Sequence, residues 1–190
     1  MKLNTPNKLT LLRIALVPTY MVFLLVDAIP NHYLWAAVLF CIASVTDFLD
    51  GHLARKHGLV TNFGKFLDPL ADKMLITAAL ICFVELGFIG SAVTVVIITR
   101  EFMVTSLRLI AAGDGNVIAA GMLGKVKTVM QIFAVVFIML LHALIDLGAL
   151  GETFAHRMIT EPLMWVVAAI TVISGFQYIW ANRFSIHPEK

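Results

Sequence analysis

Charge is what this chain has least of. Asp, Glu, Lys and Arg make up 14% of its 190 residues, against about 25% in an ordinary soluble domain. Cysteine is almost as scarce. Cys41 and Cys82 each sit inside an apolar stretch, so neither a disulfide framework nor a thiolate metal site is indicated, and both read as small lipid-facing or packing residues. The N-terminus has basic residues (Lys2, Lys8, Arg13) before an apolar run, but no good cleavage site follows. Val26-Asp27-Ala28 carries a charge and has Pro30 just beyond it, so the run reads as an uncleaved first span. Internal repeats, low-complexity runs and a soluble domain are also missing, so residues 1–190 are expected to form a single membrane domain. The net charge is only +2, and no nucleic-acid partner is expected.

Apolar residues take the place of charge. They make up 60% of the chain, with a mean hydropathy of +0.92. A chain this short cannot bury so many in its own core, and lipid is the alternative solvent. Six stretches are long enough for a span of about 20 residues: roughly 9–28, 32–54, 67–88, 90–111, 127–149 and 161–182. Turn signals separate them: Pro30-Asn31, Gly58, Gly87 and Gly90, Gly113 to Gly115, Gly148 to Gly151, and Glu161-Pro162. The expected fold is therefore all-α and polytopic, with six transmembrane helices and a short interfacial segment over residues 2–8. Six spans put both termini on one side, which then holds every Lys and most Arg outside the spans, while Arg157 stands on the other. The positive-inside rule makes that side, with the loops 55–66 and 112–126, cytoplasmic.

Acidic residues are few, and four of them are placed together. Asp47 and Asp50 are three apart at the end of the second stretch; Asp68 and Asp72 are four apart at the start of the third. On helices each spacing puts two carboxylates on one face. If the two helices are antiparallel neighbours, the pairs face each other at similar depth. Four such groups at full membrane depth would cost about 10–14 kcal/mol before their mutual repulsion is counted. A compensating cation is needed, and an all-carboxylate set suits Mg²⁺ or Mn²⁺, with enough ligands for two ions. Two ions are the usual device for in-line displacement at phosphorus. The plainer reading, helix capping or pairing with Arg55, Lys65 and Lys73, fits single members, and Asp68 before Pro69 does look like a helix start. Gly51, Ala54 and Gly64 leave room for a flat or bulky ligand, and Arg55 can hold a phosphate. Beside four carboxylates they read as a nucleotide pocket.

From Asp47 to Asp72 the pattern is D-x₂-D-G-x₂-A-R-x₈-G-x₃-D-x₃-D. It resembles, without departure, the signature of the CDP-alcohol phosphotransferase family. Softer stretches are similar to the bacterial members that act on glycerol 3-phosphate: Pro6 to Arg13, Thr99 to Phe102, Ser106 to Arg108 and Gly124 to Gln131. The resemblance implies CDP-diacylglycerol as donor, sn-glycerol 3-phosphate as acceptor, CMP as leaving group and a homodimer in the cytoplasmic membrane of a bacterium. It implies that Asp47, Asp50, Asp68 and Asp72 surround a di-metal centre, that Asp72 is the general base, and that Gly51, Ala54, Arg55 and Gly64 border the CDP moiety. Asn7, Thr10 and Arg13 are candidates to close that pocket. The acceptor's phosphate needs cations, and Arg108, Lys125 and Lys127 are placed to supply them; the plain alternative is headgroup contact. Arg100 and Glu101 lie nearly mid-span, where a charge points to function. As helix neighbours they are expected to point apart, each to an interhelical partner, and to support the site from behind. Two rival readings stay open: the same chemistry with another acceptor (inositol phosphate, serine or phosphatidylglycerol), and a divalent-cation transporter, which would have no use for the nucleotide-sized gap.

Overall fold

The computed structural model describes the backbone of residues 5–57, 62–113, 121–150 and 156–183, with the side chains of these except 5–10, 47–57, 62–70, 72, 156 and 157. Within that range the protein is helical and has no strand. The helices are α1 (Thr5–Leu25), α2 (His32–His57), α3 (Asn62–Glu85), α4 (Ser91–Gly113), α5 (Met122–Asp146) and α6 (Glu161–Asn182), the last entered through a π-helical turn at His156–Thr160.

The breaks fall where the backbone needs them. Gly87 (φ 71°) and Gly148 (φ 73°) occupy the left-handed region, which glycine enters without steric cost. Each closes its helix with a Schellman pair: Phe88 N–H to Phe83 O and Gly87 N–H to Val84 O after α3, Ala149 N–H to Leu144 O and Gly148 N–H to Ile145 O after α5. Asn31 (φ 54°) turns the chain between α1 and α2.

Three helices start earlier than hydropathy suggests, among them α5, which begins at Met122 rather than at 127. Residues 5–8 are not a separate interfacial segment but the first turns of α1, which runs unbroken from Thr5. Pro6 suits a first turn, where its missing N–H has no intrahelical partner to lose. Likewise Asp68-Pro69 does not begin α3; the helix begins at Asn62. Polar first turns add nothing to an apolar count, so a hydropathy window trims them.

The helices close into a ring. α1 packs on α2 and α3, α2 on α5, α5 on α6, α6 on α4, and α4 on α3. Among the described residues the expected neighbours α2 and α3 touch only narrowly, and α1 packs on both. Small residues at the seams, Ala36, Ala37 and Ala43 on α2 and Ala78 and Ala79 on α3, let the backbones approach. Tyr20, Leu24, Phe40, Leu80, Phe83, Ile97, Ile138, Met139 and Met164 are buried among them. The Tyr20 ring lies tilted against Phe40, centroids 5.8 Å apart, and its hydroxyl donates to Met139 Sδ at 3.5 Å, tying α1 to α2 and α5.

At the end where α3 turns into α4, the start of α6 is fastened to the turn. Thr160 Oγ1 donates to Phe88 O at 2.7 Å, and Gly90 N–H donates to Glu161 Oε2 at 2.7 Å. A Cβ at Gly90 would come within 3.0 Å of that carboxylate. The His142 ring stacks on Phe88 at 3.4 Å nearby.

Outside the ring, large apolar side chains face outward on every helix, among them Val22, Trp35, Ile81, Val95, Val129, Phe133, Phe176 and Trp180. Cys41 shares this surface and Cys82 is buried, as expected of lipid-facing and packing residues. So wide an apolar exterior is foreign to a soluble monomer and suits lipid. Among the described residues, Met122–Asp146 and Met158–Asn182 are long and apolar enough to cross a membrane; the apolar stretches of α1 and α2, Leu11–Leu25 and His32–Thr46, are shorter.

Candidate functional site

The side chains of Asp47, Asp50, Asp68, Asp72, Gly51, Ala54, Arg55, Gly64, Asn7 and Thr10 lie outside the described residues, as do His52 and His57, but their helices do not. On α2, positions 47 and 50 stand seven residues beyond Phe40 and Ala43, which are 0% and 1% exposed. On α3, positions 68 and 72 stand seven residues before Leu75 and Ala79, 4% and 0% exposed. Seven residues are about two helical turns. All four positions are therefore in register with buried stripes of α2 and α3. Asn7 and Thr10 are on the opening turns of α1, and Arg13, one turn further, is buried. Among the described side chains no group of three or more His, Cys, Asp or Glu gathers to hold a metal. A hard divalent cation fits the donor set of the four aspartate positions: oxygen only, and in two pairs.

The polar side chains that are described converge on the same interior. Glu101 of α4 is 9% exposed and collects three cations. Lys73 of α3 donates to Oε2 at 2.9 Å, Lys127 of α5 donates to Oε1, and Arg100 approaches Oε1 at 3.3 Å through Nη1. Arg100 also donates through Nη2 to Ser174 Oγ of α6 at 2.8 Å. One cluster thus joins α3, α4, α5 and α6 around the inside of the ring, with Lys73 adjacent in sequence to Asp72.

Arg100 and Glu101 each have an interhelical partner, as expected, but they do not point apart. Adjacent positions diverge by about 100° at Cβ, yet the long guanidinium stem curls back to the carboxylate of its neighbour. Lys127, expected beside the acceptor's phosphate, is 3% exposed and already engaged by Glu101. Arg108 and Lys125 are exposed, on the last two turns of α4 and the first turn of α5. Arg108 lies 5.7 Å from the centroid of the Tyr178 ring, a cation–π placement.

Ser174 and Gly175 went unread in the sequence, because neither is charged. Gly175 makes the room that Arg100 needs: a Cβ there would stand 2.9 Å from Arg100 Cγ and 3.0 Å from Nε. Gly175→Ala is expected to push Arg100 off Ser174 and to destabilise the fold by about 1–3 kcal/mol, the usual range for overpacking. The unfolding midpoint of the purified variant in detergent checks this.

Known proteins similar to the chain point to its family. Residues 3–175 match the CDP-alcohol phosphatidyltransferase family. The chain is 48% identical, over 94% of its own length and 95% of the relative's, to the CDP-diacylglycerol–glycerol-3-phosphate 3-phosphatidyltransferase of Bacillus subtilis. It is 35% identical to the protein of that name from Rickettsia bellii, over 95% and 96% of the two chains. It is 39% identical to a probable phosphatidylglycerophosphate synthase of Mycobacterium tuberculosis, over 93% and 80%. A match across nearly the whole chain places the protein in the CDP-alcohol phosphatidyltransferase family.

Proposed function

We propose that the chain transfers the phosphatidyl group of CDP-diacylglycerol to sn-glycerol 3-phosphate, giving phosphatidylglycerophosphate and CMP. One observation supports the reading: four aspartate positions stand on α2 and α3 in register with buried stripes, in a helical bundle whose described buried residues include the cations Arg13, Arg100 and Lys127. That is the layout for a substrate with a pyrophosphate and an acceptor with a phosphate, and full-length relatives bear the name of this reaction.

Asp47, Asp50, Asp68 and Asp72 would hold two Mg²⁺ or Mn²⁺ ions, in keeping with the divalent-metal dependence of the family. Bound there, the ions would offset the charge on the pyrophosphate and on departing CMP. The protein's own residues do the rest. Gly51, Ala54 and Gly64 leave space for the CDP moiety, Arg55 pairs with its phosphate, and Asn7 and Thr10 close the pocket from α1. Asp72 takes the proton of the acceptor's primary hydroxyl as that oxygen bonds to the lipid-side phosphorus. The bond from this phosphorus to the bridging oxygen breaks, and the electron pair leaves with CMP. Arg108 and Lys125 hold the acceptor's phosphate, and Lys127 adds charge from behind through the Glu101 cluster. Arg100 and Glu101 fix the helices that carry these groups. In the membrane the chain is a single domain of six spans, with both termini and the site on the cytoplasmic side, and it works as a homodimer.

The reading is tested with purified protein, CDP-diacylglycerol and labelled glycerol 3-phosphate, identifying the lipid product. Labelled phosphatidylglycerophosphate should form with Mg²⁺, stop with EDTA, and return with added Mg²⁺ or Mn²⁺. Full activity in EDTA, or transfer to inositol phosphate or serine in place of glycerol 3-phosphate, would overturn it. The acceptor pocket makes a narrower expectation. Arg108→Ala and Lys125→Ala should each raise KM for glycerol 3-phosphate about tenfold or more, the worth of a charge-assisted hydrogen bond, with KM for CDP-diacylglycerol little changed. Equal effects on the two substrates would remove these residues from the acceptor site.

A further inference from the structure

A groove of about 650 Å³ runs along the outer face of α6 where it meets the start of α5, lined by Leu123, Val172, Ile173, Phe176, Gln177 and Trp180. Ligand pockets commonly enclose about 300–1,000 Å³. The groove opens away from the ring, because α6 buries a different face, Thr171, Ser174 and Gly175 among it, against its neighbours. Its contents are ordered along the helix. Phe176 and Trp180 stack with centroids 5.9 Å apart, and the Arg183 guanidinium lies 4.5 Å from the Trp180 centroid. Met158–Asn182 is long and apolar enough to cross a membrane, so Arg183 is the first residue past that span. Arg183 therefore stands at headgroup level, and Trp180 where interfacial tryptophans gather. Val172 precedes Arg183 by 11 residues, a rise of about 16 Å. That is close to half the hydrocarbon thickness of about 30 Å, so the groove has the depth of one leaflet. Gln177 interrupts it with an exposed amide on an otherwise apolar face, about 9 Å short of Arg183. Lipid tails offer an amide no hydrogen bond; the ester carbonyls just beneath a headgroup do.

We propose that this groove binds one anionic phospholipid of the surrounding bilayer. An acyl chain lies against Val172 and Phe176, an ester carbonyl accepts from the Gln177 amide, and the phosphate meets Arg183. The sequence of the face, apolar, then amide, then cation, is the sequence of a phospholipid from tail through ester to phosphate. A second copy of the chain fits less well, since a helix seated there would press apolar side chains against Gln177. A guanidinium suits a phosphate because its planar donors match two of the oxygens. An anionic lipid is favoured over a zwitterionic one on charge: no acidic side chain lines the groove, and a zwitterionic headgroup would bring a cation of its own to Arg183. The site goes beyond the phosphatidyl-transfer reading and does not depend on it.

The test is native mass spectrometry of the full chain in detergent, with phosphatidylglycerol and phosphatidylcholine of the same acyl chains added at equal concentration. The wild type should retain phosphatidylglycerol over phosphatidylcholine by about fivefold or more, the worth of one basic residue near an anionic lipid surface. Arg183→Gln should bring that ratio close to one, and Arg183→Lys, which keeps the charge, should hold most of it. Arg183 is exposed at the end of α6, so neither change threatens the fold. Gln177→Leu should weaken retention of the two lipids alike, since both carry the esters, and Val172→Trp, which fills the groove, should do the same. Binding of CDP-diacylglycerol should not change in Arg183→Gln; a parallel loss there would merge the groove with the donor's site and overturn the proposal. Equal retention of the two lipids by the wild type, retention of neither, or a preference that survives Arg183→Gln would overturn it too. So would Val172→Trp breaking self-association while lipid retention stays as it was, which would make the groove a contact between copies.

Discussion

Asp72→Asn should bind CDP-diacylglycerol nearly as the wild type does and turn it over about 10²–10⁴-fold more slowly, the typical worth of a general base. The amide keeps the shape of the side chain and an oxygen for a metal but cannot take the acceptor's proton. Asp50→Asn and Asp68→Asn differ in kind. If they act as metal ligands, their loss appears first as weaker metal binding, and added Mg²⁺ should restore part of their activity. It should not restore Asp72→Asn. The measurement is a Mg²⁺ titration of each variant, following CMP release and donor binding in parallel. Rescue of Asp72→Asn to the extent seen for Asp68→Asn would make Asp72 a ligand alone and send the search for the base elsewhere.

Glu101→Leu should cost stability more than any other single change in the interior. The carboxylate is the shared partner of Lys73, Lys127 and Arg100, and the ion pairs with Lys73 and Lys127 have side-chain exposures of 25% and 3% on the cationic side. Removing one member of a buried pair leaves a desolvated charge and typically costs about 3–5 kcal/mol. Here it also sets like charges facing one another. A double-mutant cycle isolates the pair: Glu101→Leu, Lys127→Met and the two together, each followed by unfolding in detergent. The double variant should be less destabilised than the sum of the singles by about 1–3 kcal/mol. Strict additivity would mean that the Lys127–Glu101 contact contributes nothing.

The parts of this molecule legible in the sequence are those governed by local rules. Gly87, Gly148 and Asn31 mark turns because the chain there takes positive φ. The periods of Asp47–Asp50 and Asp68–Asp72 place each pair on one helical face. Helix starts were harder, since Asn62 to Lys65 and Thr5 to Lys8 are polar turns of helices that apolar counting recognises only later. The ring order was not legible at all. Whether α1 slips between α2 and α3 depends on how closely Ala37, Ala43 and Ala79 let backbones approach, a property of three helices at once. Ser174 and Gly175 escaped notice for a related reason. Nothing in a linear reading marks an uncharged residue in an apolar run until a partner, or the want of one, is seen. A signal was present, though: Lys127 and Gln131 are four apart, and Thr171, Ser174 and Tyr178 repeat at three and four, a polar seam along helices otherwise built for lipid.

The fastening of α6 has a mechanical consequence. Thr160 and Glu161 hold its first turn to the bend between α3 and α4, and Ser174 with Gly175 seats Arg100 farther along, some 14 residues or about 20 Å away. Two helices pinned at both stations behave as one strut and cannot slide past each other without breaking a pin. A lipid-sized donor entering the ring must therefore part some other seam. The strut stays still while it does so, and Lys73, held by Glu101, keeps α3 and its aspartate positions fixed to it.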